Sequence, residues 1–155
     1  MRVVTRIVIV LAVLATAAVS AAASEKRITK SDLPPAVRKT ADEQAKGAVV
    51  RRYSTDNEDG RLEYEVEMVS GGHSKDVSIA ADGTVLEVEE QVSLSSLSSQ
   101  VRSGLAAKAG KGRITKVESI TKRGSIVAYE AQVLTGGKHS EIQVGPDGKS
   151  LDHEE

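Results

Sequence analysis

Cysteine, phenylalanine and tryptophan are all absent from these 155 residues, which hold only three tyrosines and three prolines. Without cysteine, no disulfide can staple the fold and no thiol can act as nucleophile or metal ligand. Without large aromatics, the core must be built from Val, Ile, Leu and Ala, and no stacking platform exists for nucleic-acid bases. A formal net charge of -1 supplies no basic bulk for a phosphate backbone either. Three histidines are present, His73, His139 and His153, but their spacing does not converge on a zinc site. No serine sits in a nucleophile-elbow sequence. Gly110-Lys111-Gly112 lacks the length and the Ser/Thr of a phosphate loop. The turn from Thr55 to Gly60 has Val66 where a calcium loop needs its closing glutamate. These absences point to a non-catalytic protein with no cofactor and no metal site.

One apolar stretch is present. Arg2 and Arg6 precede Ile7–Val19, which carries no charge, and Ser20-Ala21-Ala22-Ala23 follows with small residues where a signal peptidase cuts. That order is the pattern of a secretory signal peptide over residues 1–23. The run is shorter than the roughly 20 residues that span a bilayer, which disfavours the rival reading of an uncleaved anchor. Cleavage after Ala23 removes Arg2 and Arg6 and takes the net charge from -1 to -3. The mature chain is expected outside the cytoplasm, periplasmic or extracellular, with no membrane span.

The remainder repeats itself. Residues 33–90 lie over 97–155 with one inserted residue in the second copy. Leu33, Val37 and Arg38 correspond to Leu97, Val101 and Arg102; after the insertion Tyr64-Glu65, Gly71-Gly72 and Asp82-Gly83 correspond to Tyr129-Glu130, Gly136-Gly137 and Asp147-Gly148. The division that follows is an N-terminal linker at 24–31, a first repeat at 32–92, a Ser-rich linker at 93–96 and a second repeat at 97–155.

Each copy reads as one helix and four short strands, an α+β unit. Asp32 precedes Leu33-Pro34-Pro35, where proline suits a helix entry, and Leu33, Val37, Ala41 and Ala45 mark one face up to Gly47. Leu97, Val101, Leu105 and Ala109 mark the equivalent face. From Leu62 to Met68 the period falls to two, the signature of a half-buried antiparallel strand. Counting across Gly71-Gly72 as a tight hairpin loop sets Val66 against Val77 and Tyr64 against Ile79. Counting across Asp82-Gly83 sets Val77 against Val88 and Ile79 against Leu86. In the second copy the same exercise pairs Ala131 with Ile142, Tyr129 with Val144, and Val144 with Leu151. These apolar pairs share one side, which the helix is expected to cover.

Leu33-Pro34-Pro35, Gly47, Tyr64–Glu67 and Asp82–Glu87 together resemble the PepSY-like family. The second copy departs at Leu97-Ser98-Ser99 and at Ala131. The resemblance implies a helix packed on an antiparallel sheet, often in tandem, as in the β-lactamase-inhibitor protein fold. It also implies an exported binding module, restraining a peptidase or serving the cell envelope, and no catalytic residues.

The side away from the helix collects acids. The register sets Glu67 opposite Asp76 and Asp76 opposite Glu89, with Glu65 and Glu87 flanking Ser78. Like charges placed opposite one another are unfavourable, so the row is either a solvated face that discourages sheet stacking or a docking surface for a basic partner or a divalent cation. The docking reading assigns Glu65, Glu67, Asp76, Glu87 and Glu89 to a protein partner, a peptidase or envelope component, with a basic surface. The second copy dilutes the row to Gln132, Glu141 and Glu154, then Glu130, Gln143 and Asp152. There Ile126, Ala128 and Leu134 read as an apolar patch, for packing against the first copy or for contact with another subunit. The alternative function is thus a structural envelope protein that self-associates through that patch.

Overall fold

The computed structural model describes residues 25–58, 60–153 and 155; the signal segment at 1–23 lies outside them. The strands are β1 (Lys26–Ile28), β2 (Ala48–Glu58), β3 (Arg61–Ser70), β4 (His73–Ala80), β5 (Val85–Gln91), β6 (Arg113–Lys122), β7 (Ser125–Thr135) and β8 (Lys138–Val144). They form one continuous antiparallel sheet in chain order. Two helices, α1 (Pro35–Gln44) and α2 (Ser99–Ala109), interrupt the meander between β1 and β2 and between β5 and β6.

This architecture overturns the expectation of two tandem αβ4 units. β5 does not end a closed unit: it pairs with β6 from Glu87↔Lys122 to Gln91↔Glu118, so the sheet runs on across the middle of the chain. The last strand expected in the second half does not form. Gly145 donates its N–H to the Lys149 carbonyl at 2.8 Å, but no ladder continues, so Leu151 is not paired with Val144 and Asp152 extends no row. Glu154 lies outside the described residues. At the other edge, residues read as linker supply β1, which pairs with β2 from Lys26↔Thr55 to Ile28↔Tyr53.

Helix entry also differs. Asp32 closes a single turn at Lys30–Asp32, where its carboxylate accepts from the Thr29 N–H, and α1 begins three residues later with Pro35 at its first position. There the missing proline N–H leaves no intrahelical bond unmade. α2 is capped by the Ser98 hydroxyl, which accepts from the Val101 N–H at 3.2 Å.

The helices cover one side of the sheet. Leu33, Val37 and Ala41 of the first helical segment bury against Val66, Met68, Val77 and Ile79. Leu97, Val101 and Leu105 bury against Val117, Ala131 and Val144. Tyr64 packs against the first cluster and Tyr129 against the second. Each cluster is almost wholly aliphatic, and fully burying one such side chain contributes about 1.5–3 kcal/mol.

Several contacts recur between the halves. Arg38 donates to the carbonyls of Ser31 and Leu33, and Arg102 to those of Ser95 and Leu97. The Asp82 carboxylate accepts from the Thr84 N–H as that of Asp147 does from the Lys149 N–H. Gly83 lies against the Ala36 carbonyl of α1, and Gly148 against the Gln100 carbonyl of α2.

The counted registers hold for Tyr64↔Ile79, Val66↔Val77 and Val77↔Val88, and for Tyr129↔Val144 and Ala131↔Ile142. One fails: a bulge after Ser78↔Glu87 sets Ile79 against Val85 rather than Leu86. Ala80 accepts from the Gly83 N–H and donates to the Thr84 carbonyl, so the loop holds one residue more than a two-residue turn.

Candidate functional site

The side of the sheet away from the helices has no described element lying on it, yet several of its residues are shielded. Ser54, Ile120 and Ala128 are almost wholly buried there, and Glu118 and Gln143 nearly so. Curvature explains this. The registers shift between Val50 and Arg52, Ser78 and Ile79, Ile114 and Lys116, and Ile120 and Thr121, and bulges bend and twist a strand. Side chains on the hollow side of a bent sheet crowd one another and lose solvent, and Glu155 adds cover at one point, its N–H donating to the Gln143 side-chain oxygen. The open face is therefore a shallow trough with a buried floor.

All five acids assigned to a docking surface stand on this face, and in the expected rows. Glu67↔Asp76 and Asp76↔Glu89 are direct cross-strand partners, as are Glu65↔Ser78 and Ser78↔Glu87. The rows extend further than sequence reading carried them. Arg52 of β2 stands opposite Glu67, and Lys122 of β6 opposite Glu87. A third row joins Gln91 to Glu118, Glu118 to Glu130 and Glu130 to Gln143.

Four residues missed by sequence reading complete the site. Arg52 binds both Glu67 and, at 2.6 Å, Glu25. Lys116 holds Glu118 at 2.6 Å, and the Ser74 hydroxyl donates to the same carboxylate oxygen at 3.1 Å. Lys122 reaches Glu87 at 3.1 Å and Glu155 at 3.3 Å. The signal for them was available: once β2 and β6 join the sheet beside β3 and β5, the alternation in Arg52-Tyr53-Ser54 and in Lys116–Lys122 assigns each to the open face.

The crowding decides which acids are charged. Burial pushes the Glu89 carboxyl up to about 8, reinforced by the charge of Glu87, its hydrogen bond with Glu87, and the nearby Glu130 and Glu118. Burial likewise raises Asp76 to about 6, with Glu67 and Glu118 adding repulsion while Lys116 and Arg52 oppose it. Glu65 is raised by burial and by Glu25, Asp76 and Glu67. At neutral pH Glu89 thus carries a proton, and the face is less negative than its formal count.

Two carboxylate triads bring oxygen atoms within 4.8 Å of one another: Glu25 with Glu65 and Glu67, and Asp76 with Glu89 and Glu118. Oxygen donors of this kind suit a hard cation. In the structure they already have other company, Arg52 in the first triad and the Lys116 ammonium in the second. No histidine joins either triad. His139 faces Leu134 across β7 and β8, His73 pairs with Ser70 beside a turn, and His153 lies 3.8 Å from Glu155.

Of the three apolar residues read as a patch in the second half, Ile126 is 43% exposed while the other two are shielded. Ala128 is fully buried in the floor, Leu134 is half-buried, and a bulge sets Ile126 against Thr121, out of line with Ala128.

No family model matches the sequence, and no curated protein does. Solved structures do match in shape. A candidate periplasmic protein of Bacteroides eggerthii superposes with a TM-score of 0.64 over 77% of this chain and 86% of its own, at 18% identity. A DUF2874 family protein of Bacteroides ovatus gives 0.59 over 78% and 86%, also at 18% identity. A BLIP-like protein of Bacteroides fragilis gives 0.57 over 77% and 83%, at 15% identity. The fold is thus the β-lactamase-inhibitor-protein-like one, a long antiparallel sheet with helices on a single side.

Proposed function

We propose that the chain is an exported, non-catalytic binding module that docks a basic protein segment in the trough of its sheet. The observation that carries this reading is the set of acids Glu65, Glu67, Asp76, Glu87 and Glu89, arranged in two rows on an uncovered, curved face. Maintaining like charges face to face costs stability, and the repulsion adds to the burial that raises the Glu89 carboxyl. A cationic side chain laid along the row relieves that cost, so the same feature that strains the free protein favours the complex.

Three further points support the reading. The N-terminal sequence has the order of an export signal, and a neighbour in shape is described as periplasmic. No helix among the described residues is long and apolar enough to cross a membrane. A BLIP-like fold is compatible with restraint of a peptidase or with service to the envelope. The recurring arginine, aspartate and glycine contacts of the two halves support a PepSY-like origin by internal duplication, with the second half one strand shorter. On this reading surface complementarity, with no bond-making step, carries the mechanism.

Calorimetric titration of residues 24–155 with a lysine- and arginine-rich peptide tests the proposal. Binding at low salt that weakens as salt rises, and weakens again in Glu65→Gln/Glu67→Gln/Glu87→Gln, supports it. Equal heats for the parent and the triple variant remove it.

A further inference from the structure

A groove of about 680 Å³ opens at the end of the trough where β3, β5 and β7 begin. That volume falls in the range of sites that hold a small molecule or a short peptide segment, roughly 300–1,000 Å³. Val85, Leu86 and Val127 give it an apolar wall. Arg61, Lys122 and Arg123 give it three cations, and the latter two are set by the β6–β7 turn, where Arg123 adopts a positive φ of 52°. Neither Arg61 nor Arg123 has an ion-pair partner within 4.0 Å among the described residues.

A further charged group, Glu155, comes from the segment after β8. Beyond β8 the chain makes no ladder but returns to the open face, where Glu155 lines the groove and its carboxylate lies 3.3 Å from the Lys122 ammonium. The Glu155 N–H donates to the Gln143 side-chain oxygen at 2.8 Å, which fixes the approach. Counting charges shows what the groove is complementary to. Its three cations share the lining with the side-chain carboxylates of Glu63, Glu87 and Glu155. Without Glu155 the lining holds three cationic side chains against two anionic ones, beside an apolar surface.

We propose that this groove is a recognition site for an acidic, partly apolar peptide segment, and that Glu155 occupies it as a tethered stand-in. The tail sequence Leu151-Asp152-His153-Glu154-Glu155 has the composition that the groove selects: acids next to an aliphatic residue. A partner segment of like chemistry competes with the tail for Lys122 and brings a carboxylate within reach of Arg123 and Arg61. The site adjoins the acidic rows and shares Glu87 with them, but its three cations give it the opposite preference, and an acidic probe peptide tests it separately from the docking of a basic segment.

The test uses a synthetic peptide of residues 149–155 as the probe. It is titrated into residues 24–155 and into the same chain ending at Lys149, with circular dichroism to verify that the shortened chain folds. The expected result is salt-sensitive binding to the shortened chain, at least tenfold weaker binding to the full chain, and at least a fivefold loss in Arg123→Ala of the shortened chain. Glu155→Gln in the full chain, which needs no truncation, is expected to raise peptide affinity above that of the parent. Absence of binding to the shortened chain, or binding that ignores Arg123→Ala and Glu155→Gln alike, overturns the proposal.

Discussion

Asp76 on β4 stands directly opposite Glu89 on β5, two carboxyl groups facing each other at the centre of the open face. Both are half-buried, and both hold their protons to higher pH than in an unfolded chain, Asp76 to about 6 and Glu89 to about 8. The pair ties the stability of the sheet to the charge of its surface.

The first prediction concerns pH. A carboxyl whose folded pKa lies above its unfolded value binds more protons in the folded state, so its contribution falls as pH rises between the two values. For Asp76 and Glu89 that window runs from near 4 up to about 6 and about 8. The melting temperature is expected to fall between pH 5 and pH 8.5, and Glu89→Gln is expected to flatten the slope and raise stability at pH 8.5. Asp32, Asp82 and Asp147 are lowered by hydrogen bonds, so their loss comes only in stronger acid. Thermal melts across pH check this; a stability that climbs from pH 5 to 8.5 contradicts it.

The second prediction concerns Glu118, nearly buried and bound by Lys116 and Ser74. Glu118→Ala leaves both partners without their acceptor and is expected to cost about 2 kcal/mol in denaturant unfolding. Removing it also lessens the repulsion on Asp76, so the loss should shrink at high pH.

The third prediction follows from the turn at 145–148. A Cβ on Gly148 would lie 2.2 Å from the Gln100 carbonyl oxygen of α2, and the backbone there has a φ of +78°. Gly148→Ala combines steric overlap with an unfavourable backbone and should destabilise by about 3 kcal/mol. At Gly83 the nearest atom is 3.0 Å away, so Gly83→Ala should cost less.

How much of this was legible in the sequence depends on which residues are followed. The Gly71-Gly72 loop fixed a register that placed Glu65, Glu67, Asp76 and their partners on one face, because a two-residue turn leaves no slack. The same count failed at Asp82-Gly83, where the extra loop residue is absorbed in a bulge at Leu86 that no local propensity announces. Leu151 matches Leu86 in sequence, yet the segment goes no further than the turn bond between Gly145 and Lys149. The union of the halves was hidden for a different reason: β5 and β6 are separated by α2 in sequence, and their pairing is a long-range event. Arg52, Lys116, Glu118 and Lys122 were missed with it.

The fourth prediction tests the curvature. Ile120 is buried on the open face although no described element covers it. Ile120→Ala is expected to cost about 2–4 kcal/mol, the range for a core cavity. Leu62→Ala, at a residue 49% exposed, should change stability by less than about 0.5 kcal/mol. Equal small effects would mean a flat, solvated face.

The claim on which the function rests is that a basic segment lies across the carboxyl rows. It is tested most directly by following the backbone amide resonances of residues 24–155 while a lysine- and arginine-rich peptide is added at low ionic strength, at pH 6 and at pH 9. The account predicts shifts centred on Glu65, Glu67, Asp76, Glu87 and Glu89, with tighter binding at pH 9, where Asp76 and Glu89 have lost their protons. Shifts confined to the helical side, or none at either pH, would contradict it.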